Sequence, residues 1–294
     1  MVEKRTTGEQ AFDFLNVVLM LFIMVATLYP FLYVLFASLS DPASMVAHSG
    51  ILWGPVGGVT LASYKMVLAN QSIGTGYVNT LFLVLVGTSV NMLMTSLGAY
   101  VLSRRGYMGK RFLNFFVVFT MFFGGGLIPF YLTVKNVGLL DSLWALILPK
   151  CIATYNMIIM RTAFQNVPDS LEESAHLDGA NDFLILFRIF WPLTLPTIAV
   201  MILFYAVDHW NAWFNAMIFM QSRAKYPLQL ILREILIASD TSQMTTGVGG
   251  LETGIVGETI KYSTIIVATV PVLAVYPFLQ RYFVKGIMIG AVKG

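Results

Sequence analysis

The sequence predicts an all-α polytopic membrane protein that crosses the bilayer six times, with both termini in the cytoplasm. Three observations carry this. Only 11% of the 294 residues are charged and 57% are hydrophobic, where a soluble domain carries roughly 25% charged residues. Six apolar stretches reach spanning length. The bases gather in short clusters at alternate connections. A soluble fold of this size could not hide so much apolar surface, so a cytosolic enzyme, a disordered chain and a disulfide scaffold are excluded. A single cysteine, Cys151, rules out an intrachain disulfide. A net charge of +3 without a basic stripe argues against nucleic-acid binding. The first partner is membrane lipid.

A membrane helix needs about 20 mostly apolar residues. Six stretches qualify: Phe12–Leu39, Gly76–Leu102, Phe112–Val134, Leu143–Phe164, Pro192–Met220 and Tyr262–Phe283. The first would extend about 42 Å as a helix, against a ~30 Å hydrocarbon core. It must tilt or protrude, and Pro30 is expected to kink it. It is too long for a signal-peptide core and reads as a retained anchor.

Loop charges set the orientation. Lys4 and Arg5 precede the first span. Arg104, Arg105, Lys110 and Arg111 follow the second. Arg281, Lys285 and Lys293 close the chain. These fall on one side after six crossings, so both termini are expected inside. The loops at about 40–75 and 221–261 are expected outside. No repeat or low-complexity segment is visible, and residues 1–294 read as one membrane domain.

The connection between spans four and five, Arg161–Trp191 (the loop proper at about 165–191), breaks the apolar pattern. Asp169, Glu172, Glu173, Asp178 and Asp182 lie here, five of the chain's 15 acids. Ser170 and Glu173 have capping-box spacing. Pro168 suits a helix stop, and Gly179 a left-handed cap. Asp182–Phe190 forms a second amphipathic stretch, and Pro192 suits the first turn of the next span. Two short helices around a glycine turn are expected. Read from the residues alone, a solvated acidic loop that caps well is an equal alternative.

There is no Gly-x-x-x-x-Gly-Lys-Ser/Thr run, no His-Glu-x-x-His and no Gly-x-Ser-x-Gly. His48, His176 and His209 have no metal-ligand spacing. No catalytic residue and no metal site are expected. Span five holds the clear intramembrane acid, Asp208. Tyr205, Asp208, Asn211 and Asn215 share one helical face, as the polar wall of a pathway or as interhelical glue. Tyr155 and Asn156 are weaker pathway candidates. In span two, Thr88, Asn91 and Thr95 suit packing. So does Gly124–Gly126, with a hinge as the alternative. Lys150 can snorkel to the outer interface, and Cys151 reads as a small buried residue. His176 reads as an exposed bystander.

Glu173-Ser174-Ala175, Gly179, then Ile189 and Pro192 resemble the EAA loop of ATP-binding-cassette importer permeases: Glu-Ala-Ala, then Gly, then Ile-x-Leu-Pro. Ser174 and Trp191 depart from that pattern without removing the carboxylate or the glycine. Gly124-Gly125-Gly126-Leu127-Ile128-Pro129, Trp210-Asn211 and the ending Lys285-Gly286 to Gly290-Ala291-Val292-Lys293-Gly294 resemble the maltose-type carbohydrate uptake subfamily, in its oligosaccharide and polysaccharide branch, which includes alginate importers. The resemblance covers nearly the whole chain.

That resemblance implies a type I importer permease fold with a cytoplasmic coupling helix. Ser170, Glu172, Glu173, Ser174, Ala175, Asp178 and Gly179 would dock on an ATPase dimer. Glu173 would pair with a base there, or else cap only. ATP and Mg would sit on that partner and none on this chain. The other implied partners are a second homologous permease, as a heterodimer, and an extracytoplasmic solute-binding protein. The flexible stretch Thr241–Gly257 would reach into the binding protein, or be a plain surface loop. The tail Gly286–Gly294 would touch the ATPases. The competing class is a self-sufficient six-span secondary carrier, which needs coupling-ion sites and inverted repeats.

Overall fold

The computed structural model describes residues 6–104, 109–245 and 259–274, leaving out the side chains of 238–245. Among the described residues, every regular element is helical. The chain divides into two compact units. One comprises Met1–Asn70 with Glu234–Val270, the other Gln71–Arg233 with Pro271–Gly294.

The first unit is built on the helix Thr7–Leu39. Thr6 and Glu9 form a capping box at its start: the Glu9 N–H donates to Thr6 Oγ1 (3.4 Å) and the Thr6 N–H to Glu9 Oε2 (2.7 Å). The helix continues through Pro30. Its apolar side chains point outward along most of its length, as a lipid-facing helix requires. Only its last turn is buried, at Ala37 and Ser38. There Ala37, Met45 and Leu52 form a small core with Tyr33, Phe36 and Tyr262 packed on it. Asp41 caps the short helix Pro42–Ala47 through the Ser44 N–H (3.0 Å). The first part of the loop at 40–75 is therefore folded: the Leu52 N–H donates to the Tyr29 hydroxyl (2.9 Å), and Ser63 meets Thr259 (2.8 Å).

In the second unit the expected span two is one helix, Gln71–Ser103, with a π-turn over Leu83–Gly87. The remaining expected spans are not simple rods. Lys110–Phe122 and Leu127–Asn136 meet at 114°. Gly124–Gly126 makes this bend instead of packing against a neighbour. Gly126 has φ +82, a region that glycine enters without a Cβ penalty, and nothing lies within 4 Å of where a Cβ would stand on Gly124 or Gly126.

Expected span four is in pieces: Trp144–Ile147, a 3-10 turn Leu148–Lys150, and Thr154–Gln165. Pro149 lacks the N–H that a continuous helix would use. Asp182–Leu193 and Leu195–Trp210 meet at 94°. Pro196 lies in the first turn after that bend, where its missing donor costs nothing. Thr194 closes the corner through the Phe190 carbonyl (2.7 Å).

Two cores are visible among this unit's described residues. Phe164, Phe190, Met160 and Met201 centre one; Leu83, Ile147 and Phe219 centre the other. The region expected as an outer loop from Gln221 is partly helical, over Leu228–Thr245. The apolar helix Thr259–Ala274, shorter than a full span, is the described part of the expected sixth span. Lys4, Arg5, Arg105, residues 246–258 and residues 275–294, which include Arg281, Lys285, the end of the expected sixth span and the tail, lie outside the described residues.

Candidate functional site

Two polar constellations stand out, both in the second unit. The first surrounds the helix Asp169–Leu177. Its end follows the sequence expectation. Gly179 has φ +83, its N–H donates to the His176 carbonyl (3.0 Å), and the Ala180 N–H donates to the Ala175 carbonyl (2.9 Å). These are the two bonds of a Schellman cap. Asn181 then caps the next helix through the Leu184 N–H (2.9 Å).

The start of the helix differs from expectation. Pro168 is the N-cap and no side chain caps the helix, so Ser170 and Glu173 form no capping box. The helix begins one residue before Ser170, which places that hydroxyl inside the first turn. Asp169 and Glu172 in the first turn complement the positive helix end instead.

Glu172, not Glu173, makes the internal connection. It forms an ion pair with Arg104 at the end of the span-two helix. The Tyr100 hydroxyl lies 3.2 Å from Glu172 Oε1 and 3.3 Å from Asp182 Oδ1. The Arg104 guanidinium covers the Phe190 ring at 4.5 Å. His176 stands 3.6 Å from Asp182, so it is not a bystander without a neighbour. Glu173, Ser170, Ser174, Leu177 and Asp178 are exposed, and Ala175 is half-buried. Leu177 is 89% exposed.

The second constellation lies between the pieces of spans four and five. Asp208 Oδ2 is 3.6 Å from Lys150 Nζ. The two share two clefts. One, of ≈ 410 Å³, adds Asn156 and Tyr205; the other, of ≈ 150 Å³, adds Asn211 and Asn215. The expected single helical face is not what gathers them. The helix ends at Trp210, Asn211 is its C-cap, and Asn215 belongs to Phe214–Phe219. The Asn211 amide turns back to the Val207 carbonyl (2.9 Å).

Tyr205 is buried. Its hydroxyl meets Thr95 (2.6 Å) and accepts from the Ala153 N–H (3.1 Å). Tyr155 is exposed and lines neither cleft. Cys151 is half-buried. Asn91, expected to pack, is buried and bridges His209 Nε2 (2.7 Å) and the Lys150 carbonyl (2.7 Å); its hold on the broken segment is what the sequence did not show. The available signal was Pro149-Lys150, a helix breaker beside a lone base in an apolar stretch.

Residues 84–289 match the family described as "Binding-protein-dependent transport system inner membrane component". The chain is 44% identical over 281 residues to the polygalacturonan/rhamnogalacturonan transport system permease protein YtcP of Bacillus subtilis (strain 168), covering 94% of this chain and 96% of that one. It is 40% identical over 290 residues to Protein LplC of the same organism, covering 98% and 97%. Its fold resembles a chain from the crystal structure of a bacterial ABC transporter involved in the import of the acidic polysaccharide alginate. The TM-score there is 0.87 and the identity 31%, covering 96% of this chain and all of that one. The expected type I importer fold is thus observed, and the secondary-carrier alternative falls away. The chain belongs to the family of binding-protein-dependent transport system inner membrane components, as an ABC-importer permease.

Proposed function

We propose that the chain is a permease subunit for an oligo- or polysaccharide and performs no catalysis itself. ATP and Mg are held by a partner ATPase dimer. A solute-binding protein delivers the glycan, and a second, homologous permease completes the pathway as a heterodimer. The names of the relatives support the substrate class.

The observation that carries the coupling role is the helix Asp169–Leu177. It is fastened on one side through Glu172 to Arg104 and stopped rigidly at Gly179. On the other side it presents Glu173 and Leu177 outward. A rigid, anchored peg with an apolar tip and a free carboxylate suits docking into a cleft with a basic rim. Movement of the peg would pass through Arg104 into the span-two helix. Asp208, Asn156, Asn211 and Asn215 would wall the glycan path, with Tyr205 as support behind it.

The test is the purified complex with its binding protein, assayed for glycan-stimulated ATP hydrolysis across a panel of glycans. Stimulation by one glycan class, dependent on binding protein, is expected. Uptake by this chain alone, without an ATPase, would overturn the reading.

A further inference from the structure

Lys150 is a cation within an apolar stretch, and its surroundings are built to hold it there. Residues 151–153 after it are non-helical. Irregular backbone at membrane depth persists only where it is buried in protein or lines a watery cavity. Here it borders the larger cleft. The backbone groups freed by the break are taken up: Asn91 donates to the Lys150 carbonyl, and Tyr205 accepts from the Ala153 N–H. The lysine backbone is fixed while its half-exposed ammonium reaches the cleft.

Three features of that cleft favour an anion. The ammonium is the first. The second is the start of the helix Thr154–Gln165, which no side chain caps and which opens at Ala153 and Asn156. It carries the positive end of the helix dipole. The third is Asn156, only 7% exposed, which lines the cleft without a side-chain hydrogen bond to another described residue. Its amide donors remain available.

One carboxylate opposes these. Asp208 stands 3.6 Å from the ammonium, and the two side chains are 56% and 49% exposed. Such a separated, open pair facing the cleft holds weakly, so another carboxylate can replace it.

We infer that Lys150, with the Thr154–Gln165 helix start and the Asn156 amide, binds the carboxylate of a uronic-acid unit in the passing glycan. Asp208 is the resident counter-ion that Lys150 gives up on binding and regains on release. The inference rests on the carbohydrate reading above and narrows it to acidic glycans. A returning counter-ion keeps the hold brief, as translocation requires.

The test uses vesicles containing the whole complex, with the binding protein present in every arm. The probes are oligogalacturonate and its methyl ester, which keeps the sugar and removes the charge. Lys150→Gln is expected to lower the acid-to-ester uptake ratio about tenfold, the loss of one charge-assisted hydrogen bond. Lys150→Arg keeps the ratio. Asp208→Asn lowers the KM for the acid and slows turnover. An unchanged ratio in Lys150→Gln overturns the inference. So does an acid KM in Asp208→Asn that is unchanged or higher, a reading that stands even if Lys150→Gln does not insert. If the wild type imports a neutral glycan but neither galacturonate form, the carboxylate site is wrong and the permease reading survives. If it imports no glycan at all, the carbohydrate reading itself fails.

Discussion

Among the described residues, the pairs Arg104–Glu172 and Lys150–Asp208 look alike on paper and differ in their surroundings. Arg104–Glu172 is 16% and 17% exposed, and is supported by the Tyr100 hydroxyl and the Phe190 ring. Lys150–Asp208 is half exposed and further apart. A buried pair with extra partners is a fastener: losing one member leaves an uncompensated charge. An open pair contributes little to stability and is free to exchange. Arginine suits the first role, with its planar fork and ring stacking, and lysine, a point charge on a flexible stem, suits the second.

The largest expected effect follows from breaking the fastener. Arg104→Ala should destabilise the chain by about 3 kcal/mol, read as a lower melting temperature of the purified complex, with uptake lost. The swapped pair Arg104→Glu with Glu172→Arg should recover part of this. A melting temperature unchanged in Arg104→Ala would erase the distinction between the two pairs.

The exposed helix Asp169–Leu177, for which docking is proposed, comes next. Gly179→Asp forces a side chain into a left-handed position, at a cost of about 1–2 kcal/mol. Glu173→Lys changes only an exposed residue. Both should abolish uptake while the protein still inserts, and Glu173→Lys should leave the melting temperature untouched. Normal uptake in both variants would remove the docking role.

Asp208→Asn should barely change expression or melting, since an exposed pair is worth about 0–1 kcal/mol. Its effect belongs in transport kinetics. Lost expression with unaltered kinetics would make Asp208 interhelical glue.

The smallest effect concerns the turn after Phe219. Asp141, at φ 55, accepts from the N–H groups of Gln221 (3.0 Å) and Ser222 (2.9 Å) and pairs with Lys225 (2.8 Å). The Lys225 ammonium, then the Ser222 groups, hold its carboxyl well below the usual carboxylate range. A depressed folded pKa means that the contribution is complete above the unfolded value of about 3.9 and fades as pH falls below it. Asp141→Asn should make the 221–226 turn easier for protease to cleave at pH 7, and the difference from wild type should shrink on acidification. Equal cleavage at pH 7 would show that the latch does not hold the turn.

Much was legible along the chain. Composition and apolar run length identified the bilayer as solvent, and Gly179 announced its own cap because few other residues take that backbone conformation. Both signals are local. The capping box at Ser170 was misread by one residue, since helix starts are set within a single turn. Glu172, expected with its neighbours on the docking face, turns inward to Arg104 instead; that partner lies 68 positions away and no periodicity links the two.

The sequence by itself determined that this chain lives in a membrane and which segment bears the family motif. Hydropathy and backbone preference add up residue by residue, so one dimension suffices for both. Tertiary structure alone decided which charges became fasteners and which stayed open and loosely paired. Burial and distance set the strength of an ion pair, and both depend on helices that meet only after the prolines and glycines have broken the spans and turned them toward one another.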